Sequence, residues 1–164
     1  MPDVQAPFLL DAMLGKLATY LRMCGYDAAY ALDEGRMTEA DDALLAAARE
    51  EGRTLLTRDR ELAARAGDRG TLLTSRTVED QLRALSEAGL ALELDDRPAR
   101  CGSCNGSVEQ VSAGERVAHA PDEGRVWRCE RCGQQFWKGS HWERVGGTLA
   151  DIRGDSGSES SISE

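Results

Sequence analysis

Short apolar runs alternate with amphipathic stretches along the first two thirds of the chain. Residues 8–10 (Phe-Leu-Leu) form a run that is too short for a helix and typical of a buried strand, and this run ends at Asp11. Similar runs predict further strands at residues 28–31, 54–57, 70–74 and 90–94. Short apolar strands that alternate with helices are typical of parallel sheets covered on both faces, so the pattern predicts an α/β domain with right-handed crossovers.

Helices are predicted between these strands. In residues 14–25 the apolar side chains of Leu14, Leu17 and Leu21 recur at three- and four-residue steps, and Gly25 closes the helix. Further helices are predicted over residues 38–52, from Asp59 to residue 67, and over residues 77–89; the first and the last begin with threonine caps, Thr38 and Thr77.

The composition divides the chain into three parts. Residues 6–96 hold the alternating pattern, and residues 95–98 (Asp-Asp-Arg-Pro) are typical of a hinge because they are polar and proline cannot continue a helix. Residues 99–145 hold four of the five cysteines. Residues 146–164 are rich in glycine, serine and acidic residues that bury little apolar area, so we expect a disordered tail there.

Four cysteines form two pairs with the Cys-x-x-Cys spacing, at Cys101 and Cys104 and at Cys129 and Cys132. Two such pairs can place four thiolates around one tetrahedral zinc ion, which predicts a zinc ribbon with a structural zinc. Glycines follow both pairs, at residues 106 and 133, where we expect the positive φ of a tight turn.

Other roles for the cysteines are less consistent with the sequence. Disulfides would fit an exported chain, but the first ten residues show no signal-peptide pattern. A redox Cys-x-x-Cys should open a helix after a strand, whereas these pairs lie among turn-forming residues. The fifth cysteine, Cys24, lies among apolar helix residues and is expected to be a core thiol.

The formal charge of −9 would ordinarily argue against a polyanionic partner. The charge is uneven, however: residues 1–98 have 12 basic and 19 acidic side chains, whereas residues 99–145 have 7 and 6. Arginine supplies 18 of the 20 basic groups, a composition that we interpret as halophilic adaptation, so the local charges are more informative than their sum. No segment is apolar enough to cross a membrane, and we expect a soluble, cytoplasmic protein.

Acidic residues follow the predicted strands. Asp11 ends the first strand, Asp59 follows the strand at 54–57, and Asp41 opens a helix at the same expected edge of the sheet. Carboxylate oxygens suit Mg²⁺ or Mn²⁺, and such a site can hydrolyse phosphodiesters. Aspartate is also a common helix cap, which alone would account for Asp41 and Asp59. Asp11 is costly directly after a buried strand unless it is paired, hydrogen-bonded or metal-bound.

Four stretches resemble the Mut-seven C-terminal RNase family, a branch of the PIN-like nuclease fold joined to a zinc ribbon. They are residues 8–18, 20–27, 52–59, and the two cysteine pairs together with residues 136–142 (Phe-Trp-Lys-Gly-Ser-His-Trp). The resemblance implies a PIN-like three-layer domain over residues 6–96, a ribbon over 99–145, and a divalent-metal-dependent ribonuclease that acts on single-stranded RNA.

The resemblance also implies site residues. Asp11, Asp41 and Asp59 would hold catalytic Mg²⁺ or Mn²⁺; Asp41 is preferred to Asp42 because its interval to Asp59 matches the family. A fourth acid, found in many PIN nucleases, would be Glu79 or Asp80.

Residues that could contact RNA lie in both parts of the chain. Lys16 and Arg22 lie near the helix that follows Asp11, and Lys138, His141 and Trp142 match the family motif. Stacking faces are offered by Trp127, Phe136, Trp137 and Trp142, and phosphate contacts by Arg128, Arg131, Lys138 and Arg144. The aromatic residues could instead fill the ribbon core or dock the ribbon, and the protein could be a non-catalytic RNA- or ribosome-associated adaptor.

Overall fold

The computed structural model describes residues 5–33, 40–94 and 97–153. The larger sheet has four parallel strands in the order β2-β1-β3-β4, namely β1 (Phe8–Leu10), β2 (Ala28–Tyr30), β3 (Thr54–Thr57) and β4 (Gly70–Leu72). The α-helices of the described residues are α1 (Gly15–Met23), α2 (Asp41–Glu51), α3 (Arg60–Ala66), α4 (Val78–Glu87) and α5 (Ser140–Arg153). The predicted α/β fold with a parallel sheet is therefore confirmed.

Helices cover both faces of this sheet. Because successive strand residues point to opposite faces, Leu9 and Leu55 pack with α2 and α3, whereas Phe8, Leu10 and Leu56 pack with α1, α4 and α5. All five of these side chains are fully buried. The result is a three-layer arrangement in which the carboxyl ends of the parallel strands form one edge.

Residues 90–94, where the sequence pattern predicts a strand, form none. Leu90 and Leu92 are buried in the helix layer with α4 and α5. The guanidinium of Arg153 donates a hydrogen bond to the Leu92 carbonyl at 2.6 Å. The apolar pattern of this segment therefore reflects burial against helices rather than strand pairing.

The C-terminal part contains a small antiparallel sheet in the order β5-β6-β7. Its strands are β5 (Val108–Gln110), β6 (Val126–Cys129) and β7 (Gln135–Trp137). Cys129 ends β6, and the turn to β7 contains Cys132, so the sheet positions the second cysteine pair. Residues 101–105, which we call the first knuckle, contain the other pair.

The prediction of a disordered tail from residue 146 onward is wrong for residues 146–153. These residues belong to α5, whose Val145, Leu149 and Ile152 are buried against the same core as α4. The glycines at 146 and 147 and the nearby charges obscured this amphipathic pattern. Residues 154–164, the rest of the predicted tail, lie outside the described residues. No helix of the described chain is long and apolar enough to span a membrane.

The first knuckle lies against the outer edge of β2. The Asn105 side chain accepts a hydrogen bond from the backbone N–H of Ala28 at 3.0 Å and donates one to the Asp27 carboxylate at 2.7 Å. An edge strand presents unpaired N–H groups, and Asn105 satisfies one of them. Asn105 has a φ of 69°, a left-handed conformation that asparagine tolerates better than most residues.

Arg22 of α1 also joins the knuckle to the α/β layers. Its guanidinium donates hydrogen bonds to the carbonyls of Ala28 (2.8 Å) and Gly102 (3.1 Å) and to both carboxylate oxygens of Asp33 (3.0 Å each). Arg22 is only 3% exposed. Because its donors are already engaged away from solvent, we assign Arg22 a structural role instead of the expected contact with substrate.

Candidate active site and metal centre

Asp11 lies at the carboxyl end of β1, where it is 7% exposed. Its Oδ1 accepts a hydrogen bond from the Ala12 N–H at 2.7 Å, and its Oδ2 accepts one from the Thr57 hydroxyl at 2.6 Å. Two hydrogen bonds offset the cost of burying this carboxylate, and further lone pairs remain on both oxygens. Asp11 is thus held in a fixed position at the edge of the sheet.

Asp59 lies beside it, at the end of the neighbouring strand β3. The hydroxyl of buried Thr57 donates to Asp11 and accepts a hydrogen bond from the Asp59 N–H at 3.0 Å, so one side chain joins the two aspartate segments. Asp59 Oδ1 caps α3 by accepting from the N–H groups of Glu61 (2.9 Å) and Leu62 (3.3 Å). Among the described residues, Asp59 Oδ2 has no hydrogen-bond partner.

Asp41 is positioned differently. It is the first residue of α2, and its Oδ2 lies 4.0 Å from Nη1 of Arg65, while the adjacent Asp42 accepts a hydrogen bond from Nη2 of the same arginine. In the described ranges, Asp11, Asp41 and Asp59 do not form a group of three ligands around one ion-sized point. Through Thr57 the structure links the Asp11 side chain to the backbone of Asp59, and the metal-ligand role of Asp11, Asp41 and Asp59 stays a prediction.

A cleft of about 360 Å³ opens next to the residues that follow Asp11. It is lined by Met13 and Lys16 from one side and by Arg76 and Glu79 from the start of α4. Lys16 is exposed in this cleft, where it could contact a phosphate. Of the two candidates for a fourth acid, Glu79 lines the cleft, whereas Asp80 lies 3.8 Å from Arg83 of its own helix.

The four cysteine sulfurs form a group that could hold one metal ion, because they all lie within 4.8 Å of one another. The Sγ atoms of Cys104 and Cys129 are 3.4 Å apart, and those of Cys101 and Cys132 are 3.8 Å apart. Thiolates at the usual distance of about 2.3 Å from a tetrahedral zinc would be separated by about 3.8 Å. The geometry therefore fits the predicted zinc ribbon.

The acidity of these thiols also calls for a cation. Burial, followed by interactions with neighbouring thiols, raises the pKa of Cys104 to about 12, and burial raises the pKa of Cys101 as well. Burial acts to raise the pKa of Cys129 too, but the N–H groups of Cys132 and Arg131, both at 3.3 Å, lower it to about 7. Four thiolates in this space need a positive charge at their centre.

Gly106 lies directly against the sulfurs. A Cβ atom at this position would come within 2.8 Å of Cys129 Sγ and 3.2 Å of Cys104 Sγ. The positive φ expected at Gly106 occurs instead at Asn105, while Gly133 has it as expected, with a φ of 80°. Gly106 is therefore needed for close approach to the cysteines and not for its backbone conformation.

We expect Gly106→Ala to weaken zinc binding by about tenfold or more, because the added methyl group must displace two ligands that tolerate little movement. Competition with a chromophoric zinc chelator would measure the change. Gly114→Ala is the matched control, since a Cβ at residue 114 meets nothing within 4 Å. Equal zinc affinity in the two variants would contradict the close-approach interpretation.

The ribbon aromatics have different environments. Trp127 is 5% exposed and stacks with Phe136 at a centroid distance of 6.2 Å, so these two rings fill the small core. Lys138 Nζ lies 5.9 Å from the Trp127 ring centre and 5.5 Å from that of Trp142. Trp142 is partly exposed and His141 exposed, and both line a second cleft, against α1.

The other predicted phosphate contacts are arginines of the ribbon. Arg128 is engaged by Glu109 at 2.6 Å, and Arg131 donates to the Cys104 carbonyl at 3.3 Å. Arg144 is exposed on α5. Arg131, Lys138 and Arg144 are exposed, whereas Arg128 is half-buried, and the contact of all four with RNA stays a prediction.

Comparison with protein families decides the relationship that the residues suggested. A family model, the Mut7-C RNAse domain, matches residues 6–149. The chain belongs to this family. The match spans both sheets and most of α5, so the RNAse family comprises the ribbon as well as the α/β layers. No curated protein and no solved structure matches the chain.

Two residues of this Mut7-C chain were missed by the sequence analysis. Thr57 joins Asp11 to Asp59, and its position two residues before an aspartate at a strand end could have indicated that role. Asn105 binds the first knuckle to β2, whereas its place directly after Cys104 indicates only a turn. The role of Asn105 cannot be read from its residue type without knowing that the first knuckle lies against β2.

Proposed function

We propose that this Mut7-C protein is a divalent-metal-dependent ribonuclease. It would hydrolyse RNA phosphodiester bonds in an active site that contains Asp11 and Asp59. The observation that supports this most strongly is the buried Asp11 carboxylate, held by Thr57 next to Asp59 where parallel strands end. Ligands of open α/β sheets bind at this edge.

The donor set suits Mg²⁺ or Mn²⁺. Magnesium is often bound by one or two carboxylates, and water and substrate phosphates occupy its remaining coordination positions. Asp11 and Asp59 both retain oxygen lone pairs that could bind such an ion. Asp41 and Glu79 are candidates for further ligands. When bound, the ion would supply positive charge next to the scissile phosphate and make water more acidic.

The chain's own residues would then position the reactants. Thr57 fixes the orientation of the Asp11 carboxylate, and the surrounding apolar side chains of β1 keep bulk water away from it. Lys16 and Arg76, which both line the cleft next to the residues that follow Asp11, would bind phosphates on either side of the cleaved bond. The zinc-binding ribbon would hold part of the RNA strand.

A second candidate function is that of a non-catalytic RNA-binding adaptor. It is favoured by the structural contacts of two of the acids, since Asp59 caps α3 and Asp41 lies near Arg65. In this case the protein would bind RNA through the ribbon and cleave nothing. The two functions therefore differ in a simple measurement.

That measurement is cleavage of an end-labelled single-stranded RNA by the zinc-loaded protein, with Mn²⁺ or Mg²⁺ added and with neither. We expect product only when one of these ions is present. Ca²⁺ is a suitable control, because it binds carboxylates but has a looser geometry. RNA binding without cleavage at any metal concentration would support the adaptor instead.

The variant Thr57→Val tests whether Thr57 positions Asp11 for cleavage in addition to stabilising the fold. Valine has nearly the shape of threonine but cannot donate to Asp11, so we expect the free energy of unfolding to fall by about 1–3 kcal/mol. We also expect RNA cleavage to slow by about tenfold, because Asp11 loses a fixed orientation. Thr54→Val, on the same strand but bonded to the Gln5 carbonyl, is the control and should cleave normally. Normal cleavage by Thr57→Val would contradict this role.

A further inference from the structure

A cleft of about 220 Å³ separates α1 from the ribbon. We call it the ribbon cleft; its walls include Met23, Arg100, Phe136, Trp137, His141 and Trp142. Most of this lining is apolar or aromatic, with a few polar groups from Ser103 and Gln134. Its volume lies below the roughly 300–1,000 Å³ of pockets for drug-sized ligands, which favours an occupant about as large as one aromatic ring system.

The ribbon cleft differs from three other clefts of the described chain in having no carboxylate in its lining. None of its lining side chains, as far as the structure describes them, is a carboxylate, although the chain has 29 acidic residues. The cleft next to Asp11 includes Glu79, the one on the far side of the ribbon includes Glu123, and the one between α2 and α3 includes Asp68. Arg100 and Cys101, one of the four clustered cysteines, both line the ribbon cleft, so its compatibility with an anionic ligand rests on Arg100 and on the absence of carboxylates.

One cationic side chain lines the ribbon cleft, and a second, from the cleft on the far side of the ribbon, lies over the ring of Trp142. Arg100 lines the ribbon cleft, and the Lys138 ammonium lies 5.5 Å from the centre of the Trp142 ring. A nucleotide combines an aromatic base with a phosphate, so a stacking ring next to a cation suits both parts of it. An apolar peptide side chain would use the rings but not the positive charge.

One side of α1, exposed at Lys16 and half-buried at Thr19 and Met23, runs from the candidate active site to this cleft. Lys16 lines the cleft next to Asp11, whereas Thr19 and Met23 line the ribbon cleft. These residues are three and four positions apart and therefore lie along one face of the helix. With a rise of about 1.5 Å per residue, Met23 lies about 10 Å along the axis from Lys16. A strand that follows this face would pass from one cleft to the other.

We propose that the ribbon cleft binds one unpaired base of a single-stranded RNA, stacked against Trp142, while the strand continues along α1 to Asp11. This inference rests on the proposed ribonuclease function for the direction of the strand. It implies that the enzyme recognises RNA at a fixed distance from the bond that it cuts. Double-stranded RNA, whose bases are paired and stacked, would not fill the cleft.

Abasic scanning of a short labelled RNA tests this proposal by equilibrium binding. The protein would be zinc-loaded Asp11→Asn without added Mg²⁺ or Mn²⁺, so that cleavage does not enter the measurement. We expect one nucleotide position at which removal of the base weakens binding by roughly tenfold, the effect of one lost stacking contact. Adding Trp142→Ala should abolish this position dependence, whereas Trp142→Phe should keep it.

The two histidines provide a matched pair. His141 lines the ribbon cleft, whereas His119 is equally exposed but contacts the edge of Trp137 from outside the cleft lining. We expect His141→Ala to weaken RNA binding by several-fold and His119→Ala to leave it unchanged. Zinc content and thermal unfolding would confirm that each variant is folded, and His141→Ala carries the test if Trp142→Ala does not fold.

The outcomes separate this proposal from the ribonuclease function. Two results would overturn the base-binding role even if the wild type cleaves RNA. One is that an abasic site still weakens binding at a single position when Trp142 is replaced by alanine. The other is that no such position exists for the protein with an intact cleft. Position dependence that needs Trp142, in a protein that never cleaves, would support the cleft and refute only the nuclease proposal.

Discussion

Replacing Asp11 by asparagine should reduce metal-dependent RNA cleavage by at least about a hundredfold, the scale of losing one electrostatic group from a catalytic site. Asparagine preserves the shape of the side chain but removes its negative charge and one acceptor oxygen. The effect on folding should be small, because the amide can still pair with the Ala12 N–H and the Thr57 hydroxyl. Initial cleavage rates at saturating Mn²⁺, together with thermal unfolding, would measure both effects.

Asp68→Asn is the matched control for this variant. It makes the same change of charge at an exposed position after α3, away from the edge of the sheet where Asp11 lies. We expect Asp68→Asn to cleave RNA at the wild-type rate. If Asp11→Asn were as active as this control, Asp11 would have only a structural role, and the adaptor function would be the better explanation.

Removal of the zinc should have the largest effect on stability. We expect Cys129→Ser to lose the one metal ion per chain and to unfold the ribbon, because binding of structural zinc contributes about 10–16 kcal/mol in isolated small domains. Zinc affinity should also fall as the pH falls, since Cys101 and Cys104 have raised pKa values and must release their protons to the solvent when the metal binds. Metal analysis and chelator competition at several pH values would test both points.

Loss of zinc should also destabilise the α/β part of the chain next to the ribbon. Asn105 and Gly102 of the first knuckle bond to β2 and to Arg22, so loss of zinc would leave the Ala28 N–H and the buried guanidinium with fewer partners. Hydrogen exchange should therefore become faster at Ala28 as well as in β6. Cys24→Ser is the control, because Cys24 packs against the α/β core and not among the ligands, and it should retain zinc. A zinc-free wild type with a folded ribbon would refute the metal assignment.

The sequence predicts those features that depend on local patterns. The strands β1 to β4 follow from apolar runs, and the zinc ligands follow from the paired spacing of cysteines whose sulfurs do converge. The position of Asp11 and Asp59 after neighbouring parallel strands, at the same edge of the sheet, follows from the rule that parallel strands end at one edge. Here a short-range pattern and a general topological rule are sufficient.

Features that depend on contacts between distant segments could not be predicted in this way. Arg22 has the sequence context of a surface arginine, but its partners Gly102 and Asp33 come from other parts of the chain. Likewise, residues 146–153 cannot bury enough area alone, and they become helical because Leu149 meets a core built from α1 and α4. In both cases the environment is supplied by the tertiary fold.

The return of α5 to that core has a consequence for biosynthesis. Val145, Leu149 and Ile152 follow the metal-binding segment in the chain, yet they complete the layer that covers β1. During translation, the amino-terminal layers therefore remain unfinished until the whole ribbon has left the ribosome. A protein that ended before the ribbon would expose the apolar surface that α5 covers, so metal binding by the four cysteines and closure of the α/β core would belong to the same late stage of maturation.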